Sequence, residues 1–191
     1  MTGYGGHSVL QVPVPALEPW VRERTAFYDR DYVSDDPAFG HAHVTALAPF
    51  LTAPDEQALA RVAEIAGRVP PFDYVLERTG TFPNGIVHLL PDPDGGFRRL
   101  TRLLVEAFPQ CPPYAGQFPD PVPHVTLDAL SEHVTEASTR AAVAPFLPAR
   151  SRATRLDLAW YEPGRCRVLH SWPLGRAAQD QAAQDQAAQN S

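Results

Sequence analysis

The chain has 191 residues, of which 44% are hydrophobic and 20% are charged, and its formal net charge is −6. This size and balance predict one domain of ordinary size, or two small lobes that share a core. No apolar run approaches the roughly 20 residues of a membrane-spanning helix, and the first residues, MTGYGGH, have neither the basic nor the apolar region of a secretory signal. The two cysteines, Cys111 and Cys166, form no disulfide framework or CxxC metal motif. We therefore expect a cytoplasmic protein that does not associate with membranes.

The basic residues exclude several kinds of chemistry. All 16 are arginines, and the chain has no lysine. Schiff-base catalysis, a Walker A phosphate loop and the lysyl-adenylate step of ATP-dependent ligation all need a lysine, so none of them is expected. The acidic net charge also argues against tight binding to long nucleic acid, which depends on a basic surface. A small phosphorylated molecule or an RNA end is still compatible with this composition.

Hydrophobic periodicity divides the chain into strands and helices. Alternation with period two predicts strands, and apolar residues with period 3.6 predict helices. In chain order these are strand 8–14, loop 29–40, strand 41–47, helix 55–69, strands 72–78 and 86–90 with a turn at 83–85, helix 97–108, loop 109–123, strand 124–130, helix 132–146 and a hairpin of strands 155–161 and 167–172. The loop 109–123 is rich in proline, so we expect it on the surface or as a lip over a cleft.

The order of these elements repeats. Each half of the chain has a strand that contains His-Val-Thr, then a helix, then a two-stranded hairpin. This similarity predicts an internal duplication with a pseudo-two-fold axis and an α+β fold with antiparallel sheets. Residues 177–191 repeat AAQDQ with no apolar stripe, so we interpret them as a low-complexity, disordered tail outside a domain at 1–176. A partner-binding helix is the alternative for this tail.

The duplicated tripeptide carries the chemistry that the sequence offers. It occurs as His43-Val44-Thr45 and as His124-Val125-Thr126. In a strand, residues i and i+2 point to the same face, so each histidine lies beside its threonine and each valine points into the packing. If a pseudo-dyad relates the two strands, two imidazoles and two hydroxyls converge on one place.

Two histidines and two threonines suit the cleavage of a phosphodiester. Because the ordinary pKa of histidine is near 6.5, one imidazole can be neutral and accept a proton while the other is protonated and donates one. The threonine hydroxyls can donate hydrogen bonds to phosphate oxygens, where negative charge is stabilised. Neither a metal nor a lysine is needed.

At these residues the sequence resembles the 2H phosphoesterases, which include 2′-5′ RNA ligase-like proteins and cyclic phosphodiesterases. Their signature is two H-x-T/S-x motifs about half a chain apart, and here these are His43-Val44-Thr45-Ala46 and His124-Val125-Thr126-Leu127. The pair Pro49-Phe50 after the first motif and the final apolar hairpin also fit the family. The resemblance covers about residues 8–175.

The resemblance implies a bilobal fold in which two antiparallel sheets flank a central cleft with the helices outside, and each lobe gives one motif. It implies hydrolysis or transfer at 2′,3′-cyclic phosphates or 2′-5′ linkages without metal or cofactor, on a small cyclic nucleotide or an RNA end. By motif, His43 and His124 would act as acid and base, and Thr45 and Thr126 would bind phosphate. Which histidine is the base stays open, ligation would be the reverse of cleavage, and a monomer is the default expectation.

Two other functions compete with this one. His41 precedes the first motif by two residues, so we expect it on the same strand face as His43, at the rim or in contact with substrate. Together His41, His43 and His124 form a workable zinc set, which would make the protein a zinc-dependent hydrolase. Against this, neither motif has an acidic residue close by to complete the site. The other alternative is a non-catalytic nucleotide-binding module.

Further substrate contacts are predicted more weakly. His88, on strand 86–90, either faces the cleft or is a satisfied core histidine. Phe118 in the proline-rich loop and Tyr161 at the end of a strand are candidates for stacking on a nucleobase. Arg165, in the last hairpin turn, is a candidate for a phosphate contact or is an ordinary solvated arginine.

Overall fold

The computed structural model describes residues 6–117 and 120–175. In these ranges the main elements are β1 (His7–Pro13), α1 (Glu18–Tyr28), β2 (His43–Leu47), α2 (Glu56–Gly67), β3 (Phe72–Thr81), β4 (Ile86–Asp92), α3 (Gly95–Ala107), β5 (Val125–Ala129), α4 (Glu136–Val143), β6 (Ala149–Ala153), β7 (Arg155–Tyr161) and β8 (Arg167–Pro173). The tail predicted at 177–191 lies outside the described residues.

The strands form two four-stranded antiparallel sheets. The first has the order β2-β1-β7-β8 and the second has the order β5-β4-β3-β6. Each His-Val-Thr strand lies at the edge of its own sheet, so each lobe contributes one motif, and the predicted α+β class is confirmed.

The two lobes do not correspond to the two halves of the sequence. The hairpin β3–β4 follows the first motif in the chain but pairs with the strand of the second motif, and the hairpin β7–β8 joins the first. The reason is β1, which pairs with β2 on one side and with β7 on the other. The chain therefore starts one lobe, completes the other and returns to finish the first.

Register places the motif residues as the alternation predicts. In β2, His43 pairs with Pro13 and Thr45 pairs with Gln11. In β5, Thr126 pairs with His88 of β4. The intervening Val44 and Val125 are buried in one hydrophobic core that contains residues of both sheets. Both histidines and both threonines are consequently left on the opposite strand face, away from that core.

The helices cover the sheets, and three of the four were expected. In α2 the N-cap Asp55 accepts a hydrogen bond from the backbone of Ala58. The helix predicted at 132–146 is shorter, because Thr135 is the N-cap of α4 and a 3₁₀ turn follows at Ala144–Phe146. No helix in the described part of the chain has both the length and the apolar character needed to cross a bilayer.

Two elements escape the sequence prediction. Helix α1 buries only Trp20 and Val21, so its sequence lacks a clear apolar stripe. Strand β6 has the sequence ARSRA and buries only its two terminal alanines, Ala149 and Ala153. It forms because β3 offers it an edge, which is a tertiary cause.

Candidate active site

The two motif strands face one cavity of about 390 Å³ between the lobes. His43 and Thr45 line it from β2, and His124 and Thr126 line it from the second lobe. The structure thus brings together the four residues that the duplicated motif predicts. Their roles in catalysis stay predictions.

His43 is held in one tautomer by its surroundings. Its Nδ1 lies 2.9 Å from the carbonyl oxygen of His41, and because a carbonyl only accepts, Nδ1 carries the proton. The hydroxyl of Tyr161 lies 3.3 Å from the same nitrogen. The remaining nitrogen, Nε2, is the one available for proton transfer.

The same residue is kept neutral at ordinary pH. Burial lowers the pKa of His43 to about 4, because the imidazolium loses its hydration, and the hydrogen bond to His41 only partly opposes this. Charge on nearby His124 lowers the pKa of His43 further. His43 is therefore suited to accept a proton.

His124 repeats this arrangement in the second lobe. Its Nδ1 donates to the carbonyl oxygen of Val122 at 2.7 Å, again two residues earlier in the chain. The His124 and Phe82 rings make a T-shaped contact, with 4.9 Å between their centroids. Burial lowers the pKa of His124, and charge on His88 lowers it further. Both motif histidines thus bind backbone through Nδ1 and keep Nε2 for a ligand.

His88 packs against His124. Its ring stacks on Phe82 at 3.8 Å between centroids and meets the His124 ring at 5.6 Å. Its Nδ1 lies 3.2 Å from the carbonyl oxygen of Ile86. His88 is buried, and a side chain at Gly80 would come within 2.8 Å of its Nε2. Of the two roles considered for His88, the structure favours the packed histidine that supports His124.

His41 does not lie where the sequence suggests. It belongs to a bend before β2, so the expectation of a shared strand face with His43 is wrong. Its Nε2 accepts a hydrogen bond from the backbone N–H of Ser34 at 3.0 Å, and its Nδ1 therefore donates to Glu18 at 2.5 Å. Both ring nitrogens are occupied although the residue borders the cavity.

This geometry bears on the zinc alternative. A metal ligand needs a free nitrogen lone pair, and in His41 that lone pair is used by Ser34. Within residues 6–117 and 120–175, no group of three or more His, Cys, Asp or Glu side chains is arranged to hold a metal. The residues proposed as a zinc set, His41, His43 and His124, therefore do not fit one.

The more weakly predicted substrate contacts, Tyr161, Arg165 and Phe118, have different outcomes. Tyr161 lines the cavity, and its hydroxyl donates to Gln11 at 2.6 Å. Burial raises the pKa of Tyr161, so the phenol stays protonated. Arg165 lies in the turn between β7 and β8, is exposed and pairs with Glu162 at 3.7 Å, so the structure does not bring it to the cavity. Phe118 lies outside the described residues.

Sequence reasoning missed a polar cluster beside the second motif. Asp128 lies in β5 two residues after Thr126 and borders the same cavity, and it is only 4% exposed. Its Oδ1 accepts from Arg24 Nε at 2.8 Å, from Arg24 Nη2 at 2.5 Å and from the Tyr28 hydroxyl at 2.8 Å. Its Oδ2 accepts from Thr139 at 2.6 Å. The i+4 spacing from His124 could have indicated Asp128.

Arg24 and Tyr28 reach the cavity from α1, and Arg24 is the one arginine that borders it among the described residues. Neither could be found from sequence without first predicting α1. Their partner Asp128 is about a hundred residues away in the chain, a distance at which no local pattern indicates a contact.

Two lobes that each present a His-x-Thr edge strand to a shared cavity define the class of 2H phosphoesterases. The chain matches the model of the 2′-5′ RNA ligase superfamily over residues 13–165, and it belongs to that family.

Solved structures share the fold. They include E. coli LigT in apo form, with 20% identity and a TM-score of 0.54 over 88% of this chain and 96% of that one. E. coli LigT complexed with 3′-AMP has 22% identity and a TM-score of 0.53 over 88% and 97%. The protein TT0787 of Thermus thermophilus has 20% identity and a TM-score of 0.52 over 88% and 98%. No protein of curated function matches the chain.

Proposed function

We propose that this protein is a metal-independent phosphodiesterase that acts on 2′,3′-cyclic phosphates or 2′-5′-linked nucleotides and RNA ends. One observation carries the proposal. His43 and His124 each bind a backbone carbonyl through Nδ1, which leaves both Nε2 atoms to a cavity that Thr45 and Thr126 also line. The acidic net charge favours a small substrate over a long nucleic acid.

The difference between the two histidines assigns their roles in hydrolysis of a cyclic phosphate. His43, whose pKa is about 4, is neutral and accepts a proton at Nε2 from the attacking water as the water oxygen bonds to phosphorus. His124, in its protonated form, gives the proton at Nε2 to the leaving 2′ or 3′ oxygen as the ring P–O bond breaks. In ligation a 5′-hydroxyl takes the place of the attacking water, so its proton goes to His43, the ring P–O bond breaks as before and the leaving oxygen takes the proton of His124. Cleavage of a 2′-5′ linkage is the reverse of ligation, and in that direction the two histidines exchange roles.

The threonines stabilise the charge that develops on the phosphoryl group. Thr45 lies in β2 two residues after His43, Thr126 lies in β5 two residues after His124, and both threonines line the cavity. Their hydroxyls donate hydrogen bonds to the non-bridging oxygens, where negative charge increases in the transition state. Because these donors are fixed on strands, they need little reorganisation during the reaction.

The test is a substrate screen with matched variants. The four 2′,3′-cyclic mononucleotides and short 2′-5′ oligomers are incubated with the protein, and the product is identified as a 2′- or a 3′-phosphate. We expect His43→Ala and His124→Ala each to lower kcat by about 10²–10⁴. His133→Ala, at an exposed position in the loop before α4, is the control. Full activity of the double variant refutes the proposal, and binding without turnover supports the non-catalytic module instead.

A further inference from the structure

Two exposed aromatic side chains, Phe27 and Tyr28, lie together at the end of α1 beside the cavity. Among the described residues, the large hydrophobic side chains that are exposed are Phe27, Tyr28, Val122, Leu130 and Phe146. Tyr28 lines the cavity. The Phe27 ring contacts the Tyr28 ring, with 5.1 Å between their centroids. Val122 and Leu130 flank β5, the strand of the second motif. An exposed aromatic pair beside a cleft is a candidate contact surface.

Tyr28 is held rigidly although its side chain faces solvent. The residue is 47% exposed, yet its hydroxyl donates to Asp128 at 2.8 Å and accepts from the backbone N–H of Ala129 at 3.0 Å. Since Asp128 is itself fixed by Arg24 and Thr139, the ring is oriented before any ligand arrives. When a planar ligand stacks on this ring, the protein therefore loses little side-chain entropy.

A cation lies against both rings. The guanidinium carbon of Arg24 is 4.2 Å from the Phe27 ring centroid and 5.2 Å from that of Tyr28. Phe27 is 61% exposed, so much of its side chain is still open to solvent. Two aromatic rings and a guanidinium form the kind of surface on which proteins stack nucleobases.

We propose that Arg24, Phe27 and Tyr28 form the subsite for the nucleobase of the substrate, on the His124 side of the cavity. This inference rests on the proposed function and adds a substrate class to it. The protein would act on nucleoside or RNA phosphodiesters in preference to cyclic phosphates that lack a base.

The first experiment compares two substrates. We measure kcat/KM for a nucleoside 2′,3′-cyclic phosphate and for ribose 2′,3′-cyclic phosphate, which has no base. In Phe27→Ala we expect the preference for the nucleoside substrate to fall by about 5- to 50-fold, mainly through KM. Phe146→Ala, an exposed phenylalanine outside the cavity lining, is the matched control and should keep the wild-type preference. An unchanged preference in Phe27→Ala overturns the subsite.

A second experiment separates this proposal from the proposed function. Calorimetry measures binding of a nucleoside 3′-monophosphate and of inorganic phosphate to the wild type, Phe27→Ala and Tyr28→Leu. The subsite requires nucleotide affinity to fall by about 5-fold or more in both variants while phosphate affinity falls less. If that pattern is found and no phosphodiester is cleaved, the subsite stands and the proposed function fails. If diesters are cleaved and both ligands lose affinity equally, the subsite fails and the function stands.

Discussion

The burial of His43 makes the stability of the protein depend on pH. Its pKa is about 4 in the folded chain and 6.5 ordinarily. Between these values the unfolded chain binds more protons, so the free energy of unfolding decreases as the pH falls from 6.5 towards 4, and above 6.5 this contribution is complete and constant. A shift of that size corresponds to a loss of about 3 kcal/mol at 1.36 kcal/mol per pH unit. This figure is a maximum, because the ring borders an open cavity.

Replacement of the imidazole isolates this contribution. His43→Gln keeps an N–H that can donate to the carbonyl of His41 but cannot be protonated. Urea unfolding of both proteins between pH 4 and 7.5 gives the free energy of unfolding at each pH. Below pH 6.5 the wild type should lose stability relative to the variant by up to about 1.4 kcal/mol per pH unit, whereas exposed His133→Gln should follow the wild type. Parallel curves for wild type and His43→Gln would refute both the low pKa and the support it gives to His43 as the base.

Three further predictions follow from the site. For a cyclic nucleotide, kcat/KM should rise with pH through about pH 4 as His43 loses its proton. It should fall again at a pH below 6.5 as His124, whose pKa is also lowered, loses its proton. A profile that is flat from pH 4 to 8 contradicts the two-histidine mechanism. Asp128→Ala leaves Arg24 and Thr139 without their acceptor and should lower the free energy of unfolding by about 3 kcal/mol in urea titrations; a loss below about 1 kcal/mol would show that the cluster is not stabilising. Dialysis against EDTA should leave turnover unchanged, and loss of activity that zinc restores would favour the metal alternative.

The two motif strands were predictable because their signal is local. Alternation of His, Val and Thr fixes which side chain faces the core, and Val44 and Val125 are indeed buried. The sheet that each hairpin joins was not predictable in the same way. Which edge a hairpin joins depends on β1, a strand that contacts residues far away in the sequence, and no periodicity records that choice.

The chemistry of individual histidines shows the same division. Spacing places His41 and His43 on one face only if both belong to one strand, and the bend at His41 removes that condition. The hydrogen bonds of His41 to Ser34 and Glu18 come from the loop before the strand and from α1, and neither is visible in the motif. Local patterns therefore identified the motif histidines that line the cavity, but not the groups that form hydrogen bonds with the neighbouring His41.

Helix α1 contacts residues next to both motifs, and this limits how the protein can vary. At one end Glu18 binds His41 and the backbone of Ala42, next to the first motif, and at the other end Arg24 and Tyr28 bind Asp128 beside the second. The helix has 11 residues, which correspond to a span of about 16 Å. The length of α1 therefore helps to set the distance between the two imidazoles. One residue inserted into α1 would turn its far end by about 100° and separate one pair of contacts from the other.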